Sequence, residues 1–192
     1  MARQSNTPLR MVEAGEMLLS ERGYGNMTMI EVVDKAEAPR GSIYYHFPGG
    51  KEDLAIQVAA KVGRDTVFLV DWAASKTGGP EEFLRLLVER HRKRLERSDF
   101  ALGCPMMGIM VNTATESEPL RNAVADAFSD WINAVARGLT SKGVPSAVAR
   151  RAAGTFVAGV EGAILVARTT RSVTPFSLLA DTVPALLSAP AE

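Results

Sequence analysis

A chain of 192 residues is long enough for one large domain or two small ones, and its apolar content is enough to bury a proper core. Lysine and arginine number 22 and so do aspartate and glutamate, which excludes coating nucleic acid or anionic lipid through a global positive field but leaves site-specific DNA binding through local contacts open. Sparse aromatics among plentiful alanine, leucine and valine favour packed helices over a β-sandwich, and the single cysteine, Cys104, excludes an internal disulfide and points to a reducing compartment.

The N-terminal stretch Met1 to Pro8 has no apolar signal core, and no apolar run approaches the ~20 residues of a membrane helix. The longest weakly polar stretch, 152–167, is interrupted by Gly154, Gly159, Glu161 and Gly162, so a soluble cytoplasmic protein is expected. The first helix starts with Thr7 as cap and Pro8 inside, carries Met11, Ala14, Leu18 and Leu19 at helical spacing, and ends at Gly23. Thr28 caps a short second helix, and Glu31 three residues on completes a capping-box pattern; Ile30, Val33 and Ala36 are its expected buried side. After a break at Glu37 and Ala38, residues 39–45 predict a third, very short helix, ended by Pro48, Gly49 and Gly50. A long fourth helix opens at Lys51, with Leu54, Val58, Val62, Val67 and Val70 among its apolar positions. Gly78, Gly79 and Pro80 break the middle of the chain, and a fifth helix runs from about Pro80 to Arg97. Further helices start near Pro105, Pro119, Pro145 and Pro175, and Pro184 predicts a kink or stop in the last. The fold class is therefore all-α, with about nine helices and a small N-terminal unit sharing its fourth helix with a larger bundle.

Two short helices joined by a tight turn after a longer one follow the helix-turn-helix plan, in which the N-terminal residues of the second short helix meet base edges. Those residues are Pro39, Arg40, Gly41 and Ser42. Arg40 suits a bidentate contact to guanine, and Gly41 leaves room for the backbone to approach DNA. Tyr45 and His46 supply donors beside the phosphates, and Lys51 stands at a helix N-terminus, itself a phosphate site. Tyr44 and Phe47 are read as core aromatics, with one tyrosine facing inward and the next outward. Residues 1–53 hold six basic side chains (Arg3, Arg10, Arg22, Lys35, Arg40, Lys51) against eight acidic ones, so binding must rest on the placement of a few cations and weaken with salt.

The run from Thr28 to Leu54, TMIEVVDKAEAPRGSIYYHFPGGKEDL, resembles the N-terminal signature of the TetR family of repressors. Its Pro-Arg-Gly-Ser and Phe-Pro-Gly-Gly-Lys wording is similar to the LmrA/YxaF-like subgroup, as are Leu102 to Pro105 and Val160 to Arg168. The resemblance implies an all-helical homodimer that binds a palindromic double-stranded DNA operator and is released by a small-molecule inducer. Residues 1–50 would be the helix-turn-helix DNA-binding domain and 51–192 the ligand-binding and dimerisation domain. It assigns DNA contacts to Thr28, Arg40, Tyr45, His46 and Lys51. It also implies glycine in the turn where this chain has Glu37, so a non-glycine residue must accept an uncomfortable backbone or the turn must differ. The subgroup's association with flat aromatic compounds such as flavonoids points to an apolar or aromatic inducer.

In the remainder, Phe68, Trp72, Phe83, Leu87, Met106, Met107, Met110, Phe128, Trp131 and Phe156 stand at inward-looking helical spacings. Each alone reads as plain core; three methionines within five residues, beside two tryptophans, read as an adaptable pocket. His91 and Asn112 are candidate polar anchors. Glu161, in a very apolar helix, is either paired structurally or meets a ligand or a partner chain. Gly154, Ala158 and Gly162 make a small-residue stripe that packs either within the chain or against a second copy; Phe176, Leu179, Val183 and Leu186 extend it. Dimerisation through the last two helices is the economical reading. Cys104 before Pro105 could be redox-active but reads more simply as inert, and the run from Arg90 to Arg97 reads as a solvated face. No phosphate-binding glycine loop, metal cluster or third residue to orient Cys104 and His91 is evident, so neither an enzyme nor a cofactor is expected.

Overall fold

Proline and glycine set most of the element boundaries. A computed structural model of the chain describes residues 6–113 and 117–188, and every regular element among them is helical: α1 (Thr7–Arg22), α2 (Met29–Lys35), α3 (Ser42–His46), α4 (Lys51–Lys76), α5 (Pro80–Arg97), α6 (Pro105–Thr113), α7 (Glu118–Thr140), α8 (Ser146–Thr170) and α9 (Thr174–Leu187). The all-α expectation holds. Thr7 is the first residue of α1 rather than its cap, which is Asn6, and Gly23 ends the helix at φ 77° with its N–H on the Leu19 carbonyl. The expected buried side of α2 needs a correction. Val32, Val33 and Ala36 are buried while Ile30 is exposed, because the inward row of this short helix runs 32, 33, 36. In the last helix, Pro184 neither stops nor ends α9, which continues to Leu187 with the Ser188 N–H on the Pro184 carbonyl.

The helices form two compact units, Met1–Val62 with Cys104–Ala127 and Gly63–Gly103 with Phe128–Glu192; α4 and α7 contribute to both. In the first, α1 packs on α2 and α6 around Met11, Leu18, Leu19, Val32, Phe47, Leu54 and Ile109. Lys61 on α4 reaches Glu16 on α1 at 2.9 Å. Gly108 lets α6 meet the end of α1 backbone to backbone: the Tyr24 N–H donates to the Gly108 carbonyl at 2.8 Å, and a Cβ on Gly108 would run into the Leu19 carbonyl oxygen.

In the second unit, α8 packs against α9 and α5 around Phe83, Leu87, Trp131, Phe156, Val160 and Phe176. Lys142 donates its ammonium to the carbonyls of Ala74 (2.9 Å) and Thr77 (2.6 Å), satisfying oxygens that the end of α4 leaves open. One expectation about α8 is corrected. By length and composition this helix is apolar enough to cross a membrane. Its apolar character instead serves a core, because Ala152, Phe156, Val160, Ala163 and Ala167 are buried in the unit.

Gly108→Ala is predicted to lower stability by about 1–3 kcal/mol in urea denaturation, since the neighbouring atoms are backbone and cannot swing aside. An unchanged midpoint and slope would mean that α6 does not press on α1 this closely.

Candidate functional site

The turn that presents α3 is built from local sequence. Thr28 accepts the Glu31 N–H at 3.3 Å and Glu31 accepts the Thr28 N–H at 3.0 Å, so the capping box forms as the Thr-x-x-Glu pattern requires. The Thr28 hydroxyl also donates to Glu31 (2.8 Å), and the Arg22 guanidinium donates to its other oxygen (2.8 Å). These bonds, those from Thr28 first, hold the Glu31 carboxyl below its ordinary range. Beyond α2, Glu37 takes φ 48°, the left-handed conformation that glycine would accept without strain. This is the uncomfortable backbone anticipated for a non-glycine residue there.

α3 starts later than the expected 39–45. Pro39, Arg40 and Gly41 form a turn that leads into it, closed by the Ser42 N–H on the Pro39 carbonyl at 2.9 Å. No residue of α3 is fully buried; the anchor is Phe47, 0% exposed, immediately after it. Ile43, His46 and Phe47 form the inward row, so Tyr44 turns outward, 77% exposed, beside Tyr45 at 82%. The reading of Tyr44 as core is thus corrected, and the Ile43–Phe47 spacing of four was the signal that could have revealed it. His46 is half-buried and meets the Tyr45 ring edge-on at 4.8 Å. Gly49 donates its N–H to Asp53 at 2.6 Å, an approach that a Cβ at Gly49 would block.

Three acids of this region are engaged internally. Arg22 pairs with Glu31 (2.8 Å), Lys35 with Glu21 (3.9 Å) and Lys61 with Glu16 (2.9 Å). Lys51 lies 4.3 Å over the Tyr24 ring, where partial burial lowers its pKa against the opposing pull of Glu31, a contact that no spacing pattern announces. Arg40 is exposed and, among the described residues, has no ion-pair partner. Pro39, Arg40, Gly41, Tyr44 and Tyr45 thus share one exposed end of the first unit, with Ser42 and Lys51 half-buried next to them.

The expected sensing residues separate. Met106, Met107 and Met110 belong to the first unit, where Met106 is buried, Met110 half-buried and Met107 exposed. The side chain of Asn112 lies outside the described residues. The others belong to the second unit. Leu87, Trp131 and Phe156 are buried, but Phe68 is 74% exposed, so its expected inward place is corrected: it lies on the side of α4 opposite Val70 and Ala73. Trp72 is also exposed, beneath the Arg90 guanidinium at 5.3 Å. The structure does bring three rings together: His91 lies 5.5 Å from Trp131, and Phe128 stacks on Trp131 at 6.3 Å. Burial pushes the half-buried His91 imidazole down to about 4, with Arg94 and Arg90 adding to the shift. The basic run is partly paired along its own helix, Arg92 bonding Glu89 and Glu96 and Lys93 pairing with Glu89. An open groove of about 580 Å³, lined by Asn133, Arg137, Ser146 and Arg150 among others, contains none of the expected pocket residues.

Residues 11–58 match the family described as bacterial regulatory proteins, tetR family, and residues 80–182 match the transcriptional regulator LmrA/YxaF-like C-terminal domain. An uncharacterized HTH-type transcriptional regulator of Mycobacterium tuberculosis is 31% identical over 88% of this chain and 88% of its own. The HTH-type transcriptional regulator LmrA of Bacillus subtilis is 27% identical over 93% of this chain and 95% of its own. In fold, the chain is similar to the crystal structure of regulatory protein TetR from Rhodobacter sphaeroides, with a TM-score of 0.83 at 24% identity, covering 95% of this chain and 99% of that one.

Glu37→Gly is predicted to raise stability by about 1 kcal/mol in thermal or urea unfolding, by relieving the left-handed strain; a loss would mean that the Glu37 side chain holds the turn. For His91 the folded pKa lies below the ordinary 6.5, so the folded state binds fewer protons. Its contribution is complete above pH 6.5 and is lost as pH falls toward 4, by roughly 2–3 kcal/mol. The difference in unfolding free energy between wild type and His91→Gln should therefore shrink across that window, and a constant difference would contradict the burial assigned to the ring.

Proposed function

Because the chain belongs to the TetR family of bacterial regulatory proteins, in its LmrA/YxaF-like subgroup, we propose that this transcriptional regulator is a ligand-responsive repressor that binds a palindromic operator as a homodimer and is released by a small, apolar or aromatic inducer. It acts on DNA as a regulator and not as an enzyme. The observation that carries the reading is the exposure of Pro39, Arg40, Gly41, Tyr44 and Tyr45, with Arg40 unpaired and two tyrosines turned outward while buried Phe47 fixes the segment from behind. Arg40 reads a base edge. Pro39, Gly41 and Ser42 bring the backbone close, and Tyr45, His46, Lys51 and Thr28 meet phosphates, joined by Tyr44. The Thr28 hydroxyl, now donating to Glu31, would exchange that acceptor for a phosphate oxygen. Such a protein works where the chromosome lies, in the bacterial cytoplasm.

Dimerisation is assigned to the outer face of α8 with α9. Cβ atoms added at Gly154 and Gly162 would meet nothing within 4 Å, and Leu165, Val166 and Leu178 are exposed large apolar residues, a surface that favours a second copy. Phe176 and Val183 are buried within the chain and so contribute to that face only indirectly. Division of labour follows: residues 1–50 read DNA, while 51–192 bind inducer and partner. The inducer contacts proposed are Trp131, His91, Phe128, Leu87 and Phe156 in the second unit, with Trp72 of the same unit as a further contact. An inducer acts by preferring the dimer whose reading heads no longer match half-sites about 34–36 Å apart. The close seat of α6 on α1 at Gly108 supports a direct route from movements of α6 to the reading head.

Arg40→Ala is expected to weaken binding to the operator duplex by about 1–3 kcal/mol, measured by fluorescence anisotropy, with far less change on random duplex. Equal affinity of mutant and wild type for the operator would remove Arg40 as a base reader and the geometry proposed with it.

A further inference from the structure

The indole of Trp131 is 2% exposed, yet its Nε1–H has no hydrogen-bond partner among the described residues. Folded proteins rarely leave a buried donor in that condition, since its lost hydration is then uncompensated. The surroundings offer no relief. Phe128 lies nearly parallel to the indole, at 17° and 6.3 Å, and carries no acceptor; the His91 ring, tilted by 32° at 5.5 Å, does not receive the hydrogen. His91 and Phe128 are each half-buried, so this cluster reaches the surface of its unit through two rings, with the unsatisfied donor deeper than either. Burial first, then Arg94 and Arg90, hold the imidazole neutral, and the two guanidinium groups disfavour a further cation.

We propose that the inducer docks on Trp131 through a carbonyl-type oxygen that accepts the Nε1 hydrogen, between the rings of His91 and Phe128, and that it carries no positive charge. This deepens the reading of the protein as ligand-responsive and rests on it. The ring cluster supplies flat apolar contact that any planar ligand could use. The indole N–H supplies discrimination: a ligand without an acceptor leaves the donor as lonely as before, whereas one with a carbonyl satisfies it.

Three naphthalenes of similar size separate the possibilities: acetylnaphthalene carries the carbonyl, ethylnaphthalene lacks it, and naphthylethylamine replaces it with a cation. Their affinities are measured on the full-length protein by calorimetry. In parallel, ¹⁵N-tryptophan labelling follows the two indole N–H resonances, those of Trp72 and Trp131. Acetylnaphthalene is expected to bind about tenfold tighter than ethylnaphthalene and to move the Trp131 indole resonance downfield, the amine is expected not to bind, and Trp131→Phe should abolish the carbonyl preference. The proposal is overturned if the preference survives Trp131→Phe, if the indole resonance stays in place, if the two neutral probes bind equally, or if no probe binds. Should Trp131→Phe fail to fold, the wild-type resonance decides. Operator binding without probe, measured on the same samples, keeps the two readings apart: its loss sinks the regulatory reading alone, and its presence with no probe bound sinks this site alone.

Discussion

A helix of five residues does not hold itself together in water, because the cost of ordering its first turn outweighs the few hydrogen bonds it gains. α3 is such a helix, and none of its own residues is fully buried. Its position is set from outside, by Phe47 sunk completely into the first unit and by the Gly49–Asp53 hydrogen bond that opens α4. The same burial row decides what faces out: with Ile43, His46 and Phe47 turned inward, Tyr44, Tyr45 and the turn at Arg40 have only the solvent side left. Presentation of the Arg40 turn to DNA depends on that anchorage.

Electrostatics complete the arrangement. A region with more acids than bases is an unpromising partner for a polyanion, and three of its acids are engaged locally. Glu31 is occupied by Thr28 and Arg22, and Glu21 and Glu16 by lysines. Arg40 is left unpaired at the tip, and Lys51 is held over the Tyr24 ring rather than by a carboxylate. A reading head with few free cations gains little affinity for arbitrary DNA, so its preference for a particular sequence has to come from base contacts.

Much of this was legible from the chain. Pro8, Pro80, Pro105, Pro119 and Pro175 mark helix starts because their missing N–H is harmless there, and the Thr28–Glu31 pair announces its own cap. The strain at Glu37 was legible too, through the mismatch between the residue and the conformation expected of the turn. What periodicity could not supply was the identity of the covering element. Ile30, Tyr44 and Phe68 all sit at plausible inward spacings, yet each is exposed, because a period fixes only which residues share a face. In the second unit, spacing pointed to a set of large side chains, but the grouping of Trp131 with His91 and Phe128, and the donor left unsatisfied there, needed three dimensions.

The central claim is that two copies of this reading head address one duplex together. Selection from a pool of random duplexes by the full-length protein at moderate salt, followed by sequencing of the retained DNA, tests it directly. The account predicts enrichment of an inverted repeat whose half-site centres lie about one helical turn apart, or a multiple of it. Retention without any enriched sequence, or enrichment of a single unrepeated half-site, would contradict it.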